Sequence, residues 1–126
     1  GENLLKNLWK NGKMKYSIKA LQTFEKEAKR LGKRYPSLMA DIRTLGKDIL
    51  TTPHLGTDLG GGLRKIRMRI TSKGKGKSGG ARVITFNVII AVDETEINLL
   101  YIYDKSERSS ISANEIEELL QKNGLK

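Results

Sequence analysis

A dense run of basic residues is the first feature of this sequence with chemical consequences. The run LRKIRMRITSKGKGKSGGAR spans residues 63–82, and no Asp or Glu occurs between Asp58 and Asp93. Its cations are Arg64, Lys65, Arg67, Arg69, Lys73, Lys75, Lys77 and Arg82. Like charges this close repel one another unless an anion lies among them, so we expect the run to bind a phosphate-rich partner.

Alternation in the first half of the run predicts a β-strand with two unlike faces. Side-chain direction has a period of two in a strand. One face would be basic, with Lys65, Arg67 and Arg69, and the other apolar, with Ile66, Met68 and Ile70. The Gly, Lys and Ser residues of 73–80 favour a mobile hairpin loop, which would return Arg82 to the basic face. A solvated strand face with a flexible loop is the alternative interpretation.

Three other kinds of site are not supported by the sequence. GKGKSGG partly resembles a phosphate-binding P-loop, but the leading glycine of that motif would fall at Thr71, and no acidic residue nearby could help to bind magnesium. The single histidine, His54, directly follows Pro53 and is expected at a loop or helix end. The acidic residues of the helical segments lie among lysines, so paired catalytic carboxylates are not indicated.

The first half of the chain predicts a strand followed by two helices. The strand covers 15–19, and the first helix begins at Leu21 and ends at Gly32. Ser37 is expected to cap a second helix that ends before Pro53. Two consecutive helices with a short connection form an antiparallel hairpin, which can cover one face of a sheet.

The second half predicts three antiparallel strands and a final helix. A turn-rich connection at 54–62 leads to the basic strand, and strands at 83–92 and 96–103 follow. Ser112 and Glu115 form a capping box at the start of the last helix, with Ile111 and Ile116 as its hydrophobic staple. The order β-α-α-β-β-β-α predicts an α+β fold, with a small antiparallel-rich sheet packed against a helical hairpin and a C-terminal helix.

Composition restricts the possible functions. The 126 residues suit one domain, which we place at 14–126, with residues 1–13 as an extension of unassigned role. The net charge of +10 favours a polyanionic partner, with nucleic acid first and an acidic protein second. The absence of cysteine and the single histidine exclude a thiolate site and a His-rich metal site. No membrane-spanning run occurs, and we expect a cytoplasmic protein.

Four segments, LRKIRMRI, GKSGGARVITF, LLYIYDKSE and SANEIEELL, together resemble the RelE superfamily of toxins from bacterial toxin–antitoxin pairs, nearest its HigB-like branch. The resemblance runs from about Met14 to the end. It implies a RelE-like fold and a ribosome-dependent endoribonuclease that cleaves messenger RNA and arrests growth, acting without a metal or other cofactor. The implied partners are messenger RNA, ribosomal RNA and a cognate antitoxin, often a helix-turn-helix protein.

By position, the resemblance assigns catalytic roles to Lys65, Arg67, Arg82, Tyr103 and Lys105. Arg67 and Arg82 would bind the scissile phosphate, and Lys65 or Lys105 would transfer a proton. RNA binding is assigned to Arg64, Arg69, Lys73, Lys75, Lys77 and Arg108.

One position departs from the family pattern. Ser112, a helix cap, stands near the place of the late catalytic tyrosine. This departure leaves open a non-catalytic toxin, or a toxin of the same fold that acts on DNA gyrase as ParE proteins do. A third alternative is a nucleic-acid-binding module, such as a structural component of the ribosome.

Overall fold

The computed structural model describes residues 14–126, and the expected extension at 1–13 lies outside them. Its strands are β1 (Lys15–Ala20), β2 (Thr57–Gly60), β3 (Leu63–Met68), β4 (Ala81–Ala91) and β5 (Glu94–Asp104). Its helices are α1 (Gln22–Arg34), α2 (Leu38–Thr51) and α3 (Ala113–Lys122). The sheet order is β1-β5-β4-β3-β2, with β1 parallel to β5 and the other neighbours antiparallel. The α+β prediction is confirmed.

The helical hairpin of α1 and α2 covers one face of the sheet. Phe24, Ala28 and Leu31 recur at helical spacing, and all are buried. They share a core with Val83 and Ile102 of the two central strands. Burial of this apolar stripe holds the helices on the sheet, since isolated helices of this length are only marginally stable in water.

Helix α3 covers part of the opposite face. Leu119 and Leu120 pack with Ile84 of β4 and Leu100 of β5. The predicted capping box is confirmed, because Ser112 Oγ accepts from the Glu115 amide at 3.1 Å and the Glu115 carboxylate accepts from the Ser112 amide at 3.2 Å.

The structure differs from the sequence-based expectations at four places. Helix α1 continues through Gly32, its expected end, to Arg34, because Gly32 does not adopt the left-handed conformation of a helix-terminating glycine. β2 is a short strand within the connection expected to contain only turns, and it owes its conformation to pairing with β3. Ser37 does precede α2, but its hydroxyl donates to Asp41 Oδ2 at 2.8 Å and caps no helix amide. A 3-10 turn that the sequence pattern did not predict, Thr71–Lys73, precedes the loop, and Asp41 holds it by accepting from the Thr71 amide at 2.9 Å.

Gly80 has a steric role at the start of β4. A Cβ atom at this position would overlap the carbonyl oxygen of Met68, on the neighbouring strand β3. The close approach of these two backbones therefore requires glycine immediately before Ala81 and Arg82.

Candidate functional site

A row of three polar side chains crosses the centre of the sheet. Arg67 of β3 pairs with Arg82 of β4, and Arg82 pairs with Tyr103 of β5. Directly opposite residues of antiparallel strands point to the same face, with Cβ atoms roughly 4.5–5.5 Å apart. The register therefore gathers side chains that are far apart in sequence, and the expected return of Arg82 to the basic face is confirmed.

A second row lies beside the first on the same face. Lys65 pairs with Ile84, and Ile84 pairs with Tyr101. The ring centroids of Tyr101 and Tyr103 are 6.5 Å apart. We call the polar and aromatic members of the two rows the sheet cluster; they are Lys65, Arg67, Arg82, Tyr101 and Tyr103.

Two cations of the sheet cluster are available to a ligand. Arg67 is exposed and Lys65 is half-buried. Within residues 14–126 neither side chain forms an ion pair or a hydrogen bond. With no protein acceptor to satisfy their donors, both groups can bind phosphate oxygens.

The side chain of Arg82 is 6% exposed, and only some of its N–H groups are bound to protein acceptors. Its Nη1 donates to the carbonyl oxygens of Lys77 and Ala81, and its Nη2 donates to that of Ser78, each at 3.2 Å. A guanidinium has five N–H groups, so the Nε–H and one Nη2–H have no partner among the described residues. Arg82 thus holds the loop of residues 73–80, which we call the basic loop, and still keeps donors for an anion.

Tyr103 is 2% exposed, and its hydroxyl has no hydrogen-bond partner within residues 14–126. Burial raises the pKa of this phenol, against the opposing charges of Arg82 and Arg108. The phenol is therefore neutral at physiological pH and keeps a proton to donate. An unsatisfied buried hydroxyl is costly, which indicates a place for a ligand oxygen or a water molecule.

Arg108 links the sheet cluster to α3. Its guanidinium carbon lies 5.5 Å from the centre of the Tyr103 ring, within cation–π range. Its Nη2 donates to both carboxylate oxygens of Glu115, at 2.8 and 2.7 Å. This hydrogen bonding raises the pKa of Arg108 and lowers the pKa of Glu115. The N-terminus of α3 is thus attached to the edge of the cluster.

The other basic residues singled out from the sequence lie in different environments. Lys105 Nζ donates to the Ser109 carbonyl oxygen at 2.7 Å. Arg69, Lys75 and Lys77 are exposed, and their side chains form no ion pair within the described residues. They are accessible to a polyanion that extends beyond the sheet cluster.

Arg64 and Lys73 have structural contacts instead. Arg64 lies on the opposite face of β3 and donates to the carbonyl oxygens of His54, Leu55 and Gly56. Lys73 donates to Asp104 at 2.7 Å, and its side chain is only 8% exposed. We therefore leave both out of the proposed RNA contacts.

A buried network around Asp104 was not found by sequence reasoning. This fully buried carboxylate accepts from Lys73 Nζ, from the Tyr35 hydroxyl at 2.5 Å, and from the amide and hydroxyl of Ser106 at 2.9 and 2.7 Å. Burial by itself would raise the pKa of Asp104, but these hydrogen bonds outweigh it and lower the pKa well below its usual range. No local pattern reveals the network, because its members come from three separate segments.

The described part of the chain lacks a cluster of metal ligands and a membrane-spanning helix. Residues 14–126 contain no group of three or more His, Asp or Glu side chains arranged to hold a metal ion. In the same part of the chain, no helix has both the length and the apolar character needed to cross a membrane.

Comparison with known families agrees with this geometry. A family model described as the RelE toxin of the RelE/RelB toxin–antitoxin system matches residues 18–124. The matched segment includes the complete sheet cluster, the basic loop and α3. The chain therefore belongs to the RelE toxin family of toxin–antitoxin systems.

Proposed function

We propose that this toxin is a ribosome-dependent endoribonuclease that cleaves messenger RNA and thereby inhibits translation, with the sheet cluster as its active site. The observation that supports the proposal best is the row formed by Arg67, Arg82 and Tyr103. Two guanidinium groups lie side by side with a buried phenol on one sheet face. The hydroxyl of that phenol has no hydrogen-bond partner within residues 14–126. That arrangement suits a phosphate group on which negative charge develops.

The chemistry requires the 2′-hydroxyl of one nucleotide to attack the adjacent phosphorus. The 2′-hydroxyl loses its proton to solvent water as its oxygen bonds to phosphorus, the bond to the 5′-oxygen breaks, and the leaving oxygen takes up a proton from a lysine ammonium group. Arg67 and the remaining donors of Arg82 bind the non-bridging oxygens, and Tyr103 donates its proton in a hydrogen bond to one of them. Alignment of the attacking and leaving oxygens accounts for much of the remaining rate enhancement.

Lys65 is the better candidate for proton transfer to the leaving oxygen. It lies one position along the basic face from Arg67, and its ammonium group has no partner among residues 14–126. The ammonium group of Lys105, by contrast, is already bound to the Ser109 carbonyl oxygen. We assign Lys105 to support of the connection between β5 and α3, with Lys65 as the proton donor.

The proposed partners extend beyond the messenger. Lys75 and Lys77 of the loop, with Arg69 and Arg108 at the edges of the cluster, contact the backbones of messenger and ribosomal RNA. The antitoxin that the family implies is proposed to be a helix-turn-helix protein, in keeping with a HigB-like toxin.

A non-catalytic or gyrase-directed toxin is the second candidate, and two observations favour it. Arg82 and Tyr103 are 6% and 2% exposed, which limits access to a large substrate. The hydroxyl of Ser112, near the position of the family's late tyrosine, is occupied as a helix cap. In this alternative the basic face only binds its target.

A purified translation reaction with one defined messenger tests the proposal. Primer extension should reveal cuts at ribosome-positioned codons that are absent without ribosomes. Arg67→Ala should reduce cleavage by about 100-fold, the usual effect of removing one donor to a developing oxyanion. Arg43→Ala is the matched control, since Arg43 is an exposed arginine of α2 outside the sheet cluster, and it should cleave normally.

Intact messenger with the wild-type toxin would contradict the nuclease. If DNA gyrase were inhibited in a supercoiling assay while translation continued, the gyrase-directed alternative would replace it. Cleavage that Arg67→Ala leaves unchanged would keep the nuclease but move its active site away from the sheet cluster.

A further inference from the structure

Arg82 is closed to solvent, although the proposed reaction requires it to contact RNA. Its side chain is 6% exposed, whereas its neighbour Arg67 is exposed. The carbonyl oxygens of Lys77 and Ser78 lie on the Arg82 guanidinium, and each accepts one of its hydrogen bonds at 3.2 Å. The basic loop therefore covers the arginine that is proposed to bind the scissile phosphate.

The two ends of the basic loop are held by the body of the protein. At one end, Lys73 is bound to the buried carboxylate of Asp104 at 2.7 Å. At the other end, the carbonyl oxygen of Gly80 accepts from the Lys105 amide at 3.0 Å. A large movement of the loop is therefore restricted to residues 74–79, which we call the lid.

The lid has few hydrogen bonds to the rest of the protein. Within residues 14–126, its backbone hydrogen bonds close local turns at its two ends. The side chains of Lys75, Lys77 and Ser78 form no hydrogen bond in the same part of the chain. The guanidinium of Arg82 is thus the one side chain among the described residues that fastens the lid to the sheet.

Two glycines give the lid its hinges. Gly74 and Gly76 have φ angles of 70° and 67°, in the left-handed region, and a Cβ atom at either position would meet nothing within 4 Å. Glycine moves between left-handed and extended conformations at little steric cost. The backbone can therefore change direction at both positions, and the space around them leaves room for the lid to swing.

The hydrogen bonds that fasten the lid are weaker than those that a phosphate offers. Both lie at the long end of the usual N–H···O range, and their acceptors carry no charge. An anionic phosphate adds charge attraction and can bind a guanidinium with two oxygens at once. The charges of Lys75 and Lys77 repel Arg82 but attract RNA. A phosphate that first contacts Arg67 and the free donors of Arg82 can therefore replace both carbonyl oxygens.

We propose that the lid closes over Arg82 in the free toxin and that an RNA phosphate opens it, by replacing the carbonyl oxygens of Lys77 and Ser78 on the guanidinium. Opening exposes Arg82 and leaves Lys75 and Lys77 free to contact the RNA backbone. The free toxin thus keeps its central arginine covered until RNA arrives. The inference rests on the proposed function, because it takes RNA as the source of the phosphate.

Electron paramagnetic resonance with two spin labels measures the position of the lid. The chain contains no native cysteine, so labels attach only at Ser78→Cys on the lid and at Arg43→Cys, an exposed position of α2. Saturating 2′-O-methyl RNA, which lacks the attacking hydroxyl, should change this distance by about 5 Å or more, within the reach of a short segment at ~3.3 Å per residue. A peptide nucleic acid of the same sequence, whose backbone has no phosphate, should leave it unchanged. Labels at Arg43→Cys and Lys122→Cys, on two helices, are the control and should keep their distance.

Substitution of Arg82 tests the inference without RNA. Arg82→Met keeps most of the length of the side chain but removes every donor, so the lid should adopt its open distance in the free protein. Arg67→Met is the matched control, because it removes the neighbouring cation, which forms no hydrogen bond to the lid, and the lid should stay closed. Circular dichroism checks that both variants are folded.

Three results would each overturn the lid. They are a wild-type distance in folded Arg82→Met, an equal response to the RNA and the peptide nucleic acid, and no response of the wild-type toxin to saturating RNA. All of these distances are measured without ribosomes and without cleavage. A lid that opens while messenger stays intact would therefore support this inference and contradict only the nuclease proposal.

Discussion

Arg64 and Arg67 lie in the same strand but face opposite sides of the sheet. Arg64 is bound to three carbonyl oxygens of the connection before β2. Arg67 is exposed and has no side-chain partner within residues 14–126. Side chains alternate between the two faces of β3, so Arg64 stabilises the fold on one face while Arg67 is available for binding on the other.

Alanine substitution at Arg64 should affect stability, whereas alanine substitution at Arg67 should affect cleavage. Arg64→Ala should lower the free energy of unfolding by about 2 kcal/mol, because three backbone acceptors lose a charged donor. Arg67→Ala should change it by less than about 0.5 kcal/mol, as for other exposed sites, yet reduce cleavage. Urea denaturation measures the free energy of unfolding of both variants, and the primer-extension reaction measures their cleavage. Equal losses of stability would refute the assignment of the two faces.

Tyr103→Phe distinguishes a functional hydroxyl from a structural one. The substitution removes a buried hydroxyl that has no partner among the described residues, so the free energy of unfolding should stay the same or rise. Cleavage should nevertheless fall by about 100-fold if the phenol donates to the scissile phosphate. Thermal unfolding and single-turnover cleavage provide the two measurements. A destabilised variant with normal cleavage would show that the hydroxyl serves the fold.

At the scale of elements, Asp104 joins segments that border the sheet cluster. It lies at the end of β5 and binds Tyr35 of the connection between α1 and α2, Lys73 of the basic loop, and Ser106. The amide of the next residue, Lys105, also donates to the Gly80 carbonyl oxygen at 3.0 Å. These contacts hold the loop against the end of β5, close to Arg82.

Asp104→Asn should destabilise the fold by about 3 kcal/mol, because it leaves the buried Lys73 ammonium without a counterion. Asp48→Asn, an exposed change on α2, is the control and should have little effect. Urea denaturation at neutral pH compares the two variants. A loss no greater than that of Asp48→Asn would show that the buried pair adds little to stability.

The same network predicts the direction of acid sensitivity. The pKa of Asp104 is lowered in the folded protein, so its stabilising contribution is present above the pKa of an unfolded aspartate, about 3.9. As the pH falls below that value, the unfolded state binds the proton more readily and this contribution is progressively lost. Wild-type stability should therefore decrease below about pH 4, and Asp104→Asn should lack this part of the decrease.

At the scale of the whole molecule, the net charge is +10, and Lys65, Arg67 and Arg82 of one sheet face adjoin the loop that carries Lys75 and Lys77. Binding to single-stranded RNA should weaken as salt rises, with a logarithmic slope of about −0.7 for each phosphate contacted. The double variant with Lys75→Ala and Lys77→Ala should make this slope shallower by up to about 1.4. Fluorescence anisotropy at several salt concentrations measures it, and an unchanged slope would remove the loop from the RNA contacts.

Most of the secondary structure could be predicted from local pattern. The helical spacing of Phe24, Ala28 and Leu31, the alternation in β3, and the Ser112–Glu115 box each depend on neighbours along the chain. The short strand β2 could not be predicted, because its conformation depends on a partner strand. The hydroxyl of Ser37 likewise found a tertiary partner in Ser72, whose amide donates to it at 2.8 Å, and no local rule specifies that contact.

The sequence by itself determined the fold class, the basic character of one strand face and the resemblance to the RelE family, since periodicity, charge and motif are properties of the chain. Only the tertiary structure decided which cations are available. Strand register aligned Arg67, Arg82 and Tyr103, while folding buried Lys73 against Asp104. The physical reason is that register and ion pairing join residues distant in sequence, and their energies depend on burial that exists only in the folded chain.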